Sequence, residues 1–421
     1  MAYLELILLG IYGFLGPQVW GVYGFLITAG RRKLMLMKQL PEPLKGEPPS
    51  VTILVPAKDE GERIRGCIQS CLKQDYPNLD VIAIDDRSTD DTGVVMDQIA
   101  MENPRLNVLH ITEPPAIGWT GKNNALFQGA KRAAGDWLLF VDSDVVLEPN
   151  ALDVAMSVVR RKQFDMLSLL PRLESHTAWE AMLVPLAGAA ASTMYLIALN
   201  NKSEMSKVAF ANGQFLLISR SSYDAIGGHE TVRDRYCEDV EIARLMKVHG
   251  LRPRVSWGNE YCSVRMYSSL PAIIRGWSRI YYAARVGSPW RILFALAFLL
   301  LCCFTVYPAL AWSIWRMAHP SPLLHGWIGP LWLFTACSHL GVMTFYLARM
   351  YEWSGNLRRN AFYFPLAGGL LCYILLRGLK MCITRKVEWR GTAYSHVMQA
   401  IPVATASQVP APRPAPSETP A

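Results

Sequence analysis

Two acidic pairs and one lysine carry the chemistry this chain offers: Asp142 with Asp144, Glu238 with Asp239, and Lys122 directly after Gly121. Residues 136–142 read as an apolar strand. Side chains two apart on a strand share a face, so Asp142 and Asp144 can meet one cation or a metal-bound diphosphate. A surface turn closing an ordinary strand is the plainer reading of Asp-Ser-Asp taken alone. A second apolar strand ends in Asp85-Asp86, and Ser88 or Asp90 after it suits the cap of a following helix. Lys122 stands where a helix begins, a position suited to a phosphate, although the residues around it do not spell a full P-loop. Glu238-Asp239 either opens a solvated helix with a favourable dipole interaction or supplies acid and base groups.

These side chains need a scaffold that brings distant segments to one edge. From residue 51, strands (51–55, 81–84, 106–110, 136–142 and 166–170) alternate with helices (62–73, 91–102 and 123–134). Such alternation predicts an α/β domain with a mostly parallel, Rossmann-like sheet, whose strand ends converge on one crevice.

Of 421 residues, 51% are hydrophobic, and they are clustered. Residues 6–29, 292–315 and 326–348 lack Asp, Glu, Lys and Arg, and each has the ~20 residues a bilayer-spanning helix needs. An integral membrane protein is expected. Residues 1–30 read as a retained transmembrane anchor rather than a signal peptide. Arg31, Arg32, Lys33 and Lys38 then place the chain after residue 30 in the cytoplasm. Residues 31–50 form a basic, proline-rich linker, 51–285 the α/β domain, 286–400 a C-terminal membrane region and 401–421 a disordered tail. Within 286–400, two spans are joined by a re-entrant or in-plane segment at 361–376. Crossing there would leave Arg377, Lys380, Arg385, Lys386 and Arg390 outside. The uncharged stretch 182–199 falls between Asp144 and Glu238-Asp239, so it is expected in the interface or the fold, not across the bilayer. The net charge of +8 comes from basic residues beside apolar segments, which favours anionic lipid headgroups over nucleic acid. Nine cysteines show no paired framework, and Cys67 with Cys71 lacks the partners of a metal site.

Taken in order, VPAKDE (55–60), IDDRSTDDT (84–92), GWTGKNNAL (118–126), GDWLLFVDSDV (135–145), GGH (227–229) and CEDVEIARLMKVHG (237–250) resemble the catalytic domain of family 2 glycosyltransferases with the GT-A fold. The likeness covers residues 51–285 and points to membrane-anchored lipid glycosyltransferases of the hopanoid-associated, carotenoid and ceramide glucosyltransferase groups. It implies an inverting, non-processive enzyme of a bacterial-type cytoplasmic membrane, moving a sugar from a nucleotide sugar, expected to be a UDP-sugar, to a lipid hydroxyl. Pro56, Ala57 and Glu60 would line the nucleotide pocket and Asp86 would accept a hydrogen bond from the uracil ring. Lys122 would approach the diphosphate, Asp142 the ribose or sugar, and Asp144, with Asp142, would ligate Mg²⁺ or Mn²⁺. Asp239 would be the general base, oriented by Glu238. The Gln-x-x-Arg-Trp sequence of many members is replaced by residues 275–279, where Arg275 or Arg279 supplies a cation and Trp277 a platform, or else Trp277, Tyr281 and Tyr282 form an interfacial aromatic belt. That departure argues against a processive polymerase. His229 either touches acceptor or metal or is structural, and 385–394 suits a lid or interfacial anchor. A polyprenyl-phosphate acceptor and a non-catalytic nucleotide-sugar-binding subunit remain the alternatives, with a transporter less favoured.

Overall fold

The computed structural model describes residues 2–35, 37, 46–201, 208–283, 289–320, 326–384, 387–389 and 392–394. Residues 36 and 38–45 of the expected 31–50 linker, parts of 385–394 and the whole 401–421 tail lie outside the described residues. The chain divides into two units. A catalytic unit spans Lys33–Arg172 and Tyr195–Arg265, and a helical unit holds Met1–Arg32, Leu173–Met194 and Met266–Val397.

In the catalytic unit a seven-stranded sheet forms from β1 (Val51–Ala57), β2 (Leu79–Asp86), β3 (Leu106–Ile111), β4 (Trp137–Phe140), β6 (Met166–Leu170), β7 (Leu216–Ser219) and β8 (Pro253–Trp257), in the order β3-β2-β1-β4-β7-β6-β8. A short β5 (Val145–Leu147) leaves this sheet and pairs antiparallel with β9 (Cys262–Val264). Only β7 runs against its neighbours in the large sheet, so the carboxyl ends of the other six share one edge, as the alternation predicted. β1 is almost wholly buried because helices cover both faces. The Gly121–Arg132 helix presses on it through Gly129. A Cβ there would stand 2.4 Å from Ile84 Cδ1 and 2.7 Å from Leu54 Cδ2. This approach brings the helix start, and with it Lys122, down to the sheet edge.

One expectation about the site changes. The strand ends at Phe140, not at Asp142, so strand alternation does not align the two acids. Val145 N donates to Asp142 O at 3.1 Å, closing a turn that carries both carboxylates toward β5. The turn, rather than the pleat, brings them together.

Among the described residues of the helical unit, four helices are long and apolar enough to cross a membrane by length and composition: Tyr3–Arg32, Pro289–Ala318, Ile328–Trp353 and Arg358–Thr384. Two of them contain single π-turns, Phe14–Gln18 and Leu300–Phe304. Within the second, the Cys302 carbonyl lies 3.0 Å from His339 Nε2 and accepts from Trp20 Nε1 at 2.6 Å. The segment expected to be broken at Gly368 and Gly369 is one continuous helix from Phe364 to Thr384. It runs opposite to Pro289–Ala318: a Cβ on Gly368 would meet Phe304 at 3.0 Å and one on Gly378 would meet Ile292 at 3.5 Å. Arg377 and Lys380 therefore return to the end of the unit that carries Arg291. Arg31 belongs to that end too, because Trp20 contacts Cys302 while Tyr23, one turn on, contacts Phe298. The uncharged stretch expected over 182–199 forms the helix Ala178–Met194, which packs inside this unit through Tyr351 Oη to Met182 O (2.6 Å) and Tyr281 Oη to Ala187 O (2.7 Å). Val387–Trp389 and Thr392–Tyr394 pair as an antiparallel hairpin.

Candidate active site

Three loops at the shared sheet edge carry the predicted side chains. Thr120 caps the Gly121–Arg132 helix, its Oγ1 accepting from Asn123 N at 3.2 Å, and this fixes where Lys122 emerges. Lys122 Nζ lies 2.7 Å from Asp142 Oδ1 and 2.7 Å from Glu238 Oε1. Burial works against the Lys122 charge, but Asp142, Glu238 and Asp239 outweigh it and hold the ammonium well above its ordinary range. Glu238 and Asp239 occupy the first turn of the Glu238–Val248 helix, where the dipole favours anions. Glu238 is only 5% exposed, so this is not a solvated helix start.

Asp239 Oδ2 accepts from Gly213 N at 2.7 Å, and Oδ1 from Val240 N at 2.8 Å. Burial and then the neighbouring Glu238 push its carboxyl up to about 7, against the opposing pull of Lys122 and the two amides. A carboxylate with that pKa is matched to proton transfer near neutrality. Pro56, Asp142, Gly213, His229, Glu238 and Asp239 line one pocket.

Across the turn, burial raises Asp144 to about 7, followed by the charges of Asp142 and Glu60, with Arg63 opposing. Glu60 lies 3.9 Å from Arg63. Two crowded carboxylates that resist ionisation together form a hard-oxygen donor set, and a divalent cation relieves their repulsion. Among the described residues, no three His, Cys, Asp or Glu side chains converge into a complete cage. The set fits an ion of the Mg²⁺ or Mn²⁺ kind, which Asp142 and Asp144 would hold.

Asp86 is buried and paired twice with Arg87, Nε to Oδ1 at 2.8 Å and Nη2 to Oδ2 at 3.0 Å. Arg87 reaches back because its backbone takes a left-handed φ of 58°. A base recognised by Asp86 must share or displace that guanidinium. Gly121 is required beside it, since a Cβ would stand 2.7 Å from Asp86 Oδ2. Ala57 sits opposite Asp85 in register, next to Pro56. Arg275, Trp277 and Arg279 belong to the helical unit, on the helix Leu270–Ala283, where Trp277 is buried with its ring 5.9 Å from Tyr281.

His229 takes the structural role. It is 1% exposed, its backbone N donates to Tyr223 Oη at 3.1 Å, and its Nδ1 lies 2.9 Å from the same oxygen. These two contacts pin the imidazole against the Tyr223 hydroxyl. Burial, helped by Lys122, lowers His229 to about 3, so it stays neutral.

Sequence reasoning missed two residues of the site. Gly213 gives its N–H to Asp239 and leaves room for the cluster, since a Cβ would lie 3.3 Å from Lys122 Nζ and 3.5 Å from Asp239 Oδ2. Asn123 binds the loop before Glu238. A glycine in a polar loop and an asparagine next to a singled-out lysine were the faint signals available.

An α/β sheet with acids at its strand ends, a lysine bridging two of the acids and a carboxylate poised near neutrality suits a group-transfer enzyme. The chain belongs to the glycosyltransferase-like family 2, whose model matches residues 48–282. It is similar to 4,4'-diaponeurosporenoate glycosyltransferase of Staphylococcus haemolyticus, 24% identical over 272 residues, covering 63% of this chain and 70% of the relative. The Staphylococcus aureus (strain MRSA252) protein of that name is 24% identical over 253 residues, and the chain spans 64% of its length. Among solved structures, a mannosyltransferase from Pyrobaculum calidifontis in complex with GDP-Man and Mn²⁺ aligns over 91% of this chain and 99% of its own, at 17% identity and a TM-score of 0.48.

Proposed function

We propose that the enzyme transfers one sugar, with inversion, from a UDP-sugar to the hydroxyl of a membrane lipid, on the cytoplasmic face of a bacterial-type membrane. The observation that carries this reading is the Lys122 bridge between Asp142 and Glu238 beside Asp239, raised to about 7. Asp239 takes the proton from the acceptor hydroxyl while that oxygen forms a bond to the anomeric carbon. The bond from that carbon to the diphosphate breaks, and its electron pair leaves with the nucleoside diphosphate. Glu238 holds Lys122, whose ammonium faces the leaving group together with the amides at the start of the Gly121–Arg132 helix. Asp86 takes the uracil, with Pro56, Ala57 and Glu60 around the nucleotide. Mg²⁺ or Mn²⁺ held by Asp144 and Asp142 would supply charge against the departing diphosphate.

Relatives named for glycosylating 4,4'-diaponeurosporenoate support a lipid-like acceptor. Arg31, Arg291, Arg377 and Lys380 gather at one end of the helical unit, which supports a cytoplasmic placing of that end. It also supports a last long helix that dips in and returns instead of crossing.

The test is transfer by the purified protein with Mn²⁺, a panel of labelled UDP-sugars and total membrane lipid extract. A labelled glycolipid formed only with metal supports the reading. Donor binding without product for any sugar points to the non-catalytic subunit.

A further inference from the structure

We propose that Asn123 is a positioning residue that latches the loop 232–235, and through it Glu238-Asp239, onto the helix start that carries Lys122. The inference rests on the functional reading of this same site. Asn123 is fully buried, and its two Nδ2 hydrogens are shared among three backbone carbonyls, Val232 O at 2.7 Å, Arg235 O at 2.9 Å and, at longer range, Arg233 O at 3.2 Å. Thr120 N adds a bond to Arg233 O at 2.8 Å. No strand or helix claims this loop. Its own backbone bonds are Arg233 N to Glu230 O at 3.4 Å and Arg235 N to Val232 O at 2.9 Å.

After Tyr236 comes Cys237, at the cap position of the Glu238–Val248 helix, and no side chain caps that helix. The start of the helix that bears the base is thus held by the loop, and the loop by Asn123. Adjacent residues grip the same segment in two ways: Lys122 takes the Glu238 side chain at 2.7 Å, and Asn123 takes the backbone just before it. Without the amide, Arg235 O loses its donor, Val232 O and Arg233 O keep only the backbone bonds from Arg235 N and Thr120 N, and the loop relaxes away from Lys122. Misplacing a catalytic group by about 1 Å costs on the order of 100-fold in rate.

The test uses the full chain in detergent and the variant Asn123→Asp, which keeps the size and removes the donors. Two readouts are taken: donor KM against kcat, and the rate at which N-ethylmaleimide labels Cys237, resolved from buried Cys262 by mass spectrometry. The expected result is a fall of about 100-fold in kcat with donor KM held within about threefold. Cys237 labelling rises about tenfold while Cys262 is unchanged, because the opening is local. Unchanged Cys237 labelling overturns the proposal, and so does equal acceleration at both cysteines, which marks a general loosening. If Asn123→Asp does not fold, Asn123→Ser keeps one donor and is expected to label at an intermediate rate; native labelling there also overturns it. Should the native chain transfer no sugar, the functional reading fails while the labelling result still judges the latch.

Discussion

Replacing Lys122 with Met keeps the length of the side chain and removes its charge. The ammonium lies 2.7 Å from a carboxylate oxygen of Asp142 and 2.7 Å from one of Glu238, with Asp239 beside them. At an effective dielectric of about 20, each contact is worth roughly 6 kcal/mol before desolvation. Most of that is offset by the cost of burying the ions, and breaking such a cluster from one side costs on the order of 3–5 kcal/mol. Lys122 keeps 30% of its side chain exposed, which favours the lower end, about 3 kcal/mol. For a domain of this size that is a drop of roughly 6–12 °C in apparent Tm. The loss has a pH signature. Without the ammonium, the folded-state pKa of Asp239 rises above its native value of about 7, so the deficit relative to the native chain grows as pH climbs through about 7 toward that higher pKa. The assay is thermal unfolding in detergent of the native chain and the variant at about pH 6 and about pH 8. A deficit at pH 8 that shrinks at pH 6 is expected. A native-like Tm at pH 8, or a deficit indifferent to pH, would refute the bridge as a structural element of the site.

The same cluster and its surroundings give three further expected outcomes. Gly213→Ala places a Cβ 3.3 Å from Lys122 Nζ and 3.5 Å from Asp239 Oδ2. It should cut kcat by on the order of tenfold or more while moving Tm little, read by steady-state kinetics and melting on one preparation. With Asp239 raised to about 7 and active as the carboxylate, kcat should rise about tenfold per unit below pH 7 and level off above it. A flat profile across that range would contradict its role. His110 sits 3.1 Å from Asp85 and 3.0 Å from Asp97, and these bonds, Asp97 first, raise its pKa above the ordinary value. Its stabilising effect is complete below its unfolded pKa and is lost as pH rises through the folded one. The native chain should therefore exceed His110→Ala in Tm by more at about pH 6 than at about pH 9.

Much of the site was legible because its residues are of types that rarely end a buried strand or open a helix without reason. Asp85-Asp86, Asp142 with Asp144, Lys122 and Glu238-Asp239 each stood at such an end, and parallel topology made their convergence a consequence. What stayed hidden came from tertiary contacts with no local pattern. Strand alternation was the wrong device for Asp142 and Asp144, because a backbone bond from Val145 to Asp142 makes a turn there. The pairing of Asp86 with Arg87 depends on a left-handed backbone at Arg87, which its residue type does not announce. Gly213 and Asn123 act through one amide and one side-chain NH₂ on partners more than twenty residues away. Gly368 and Gly369 read as helix breakers, yet Gly368 packs beside Phe304 within an unbroken helix, so close contact explains it better than chain flexibility.

The most direct measurement compares native protein and Asp239→Asn with one labelled UDP-sugar, measuring donor binding and glycolipid formation side by side. A base acting on a lipid hydroxyl predicts equal donor binding and a fall in transfer of about 100- to 10,000-fold in the variant. Transfer at close to the native rate would contradict the general-base role and turn the reading toward an acceptor already anionic, such as a polyprenyl phosphate.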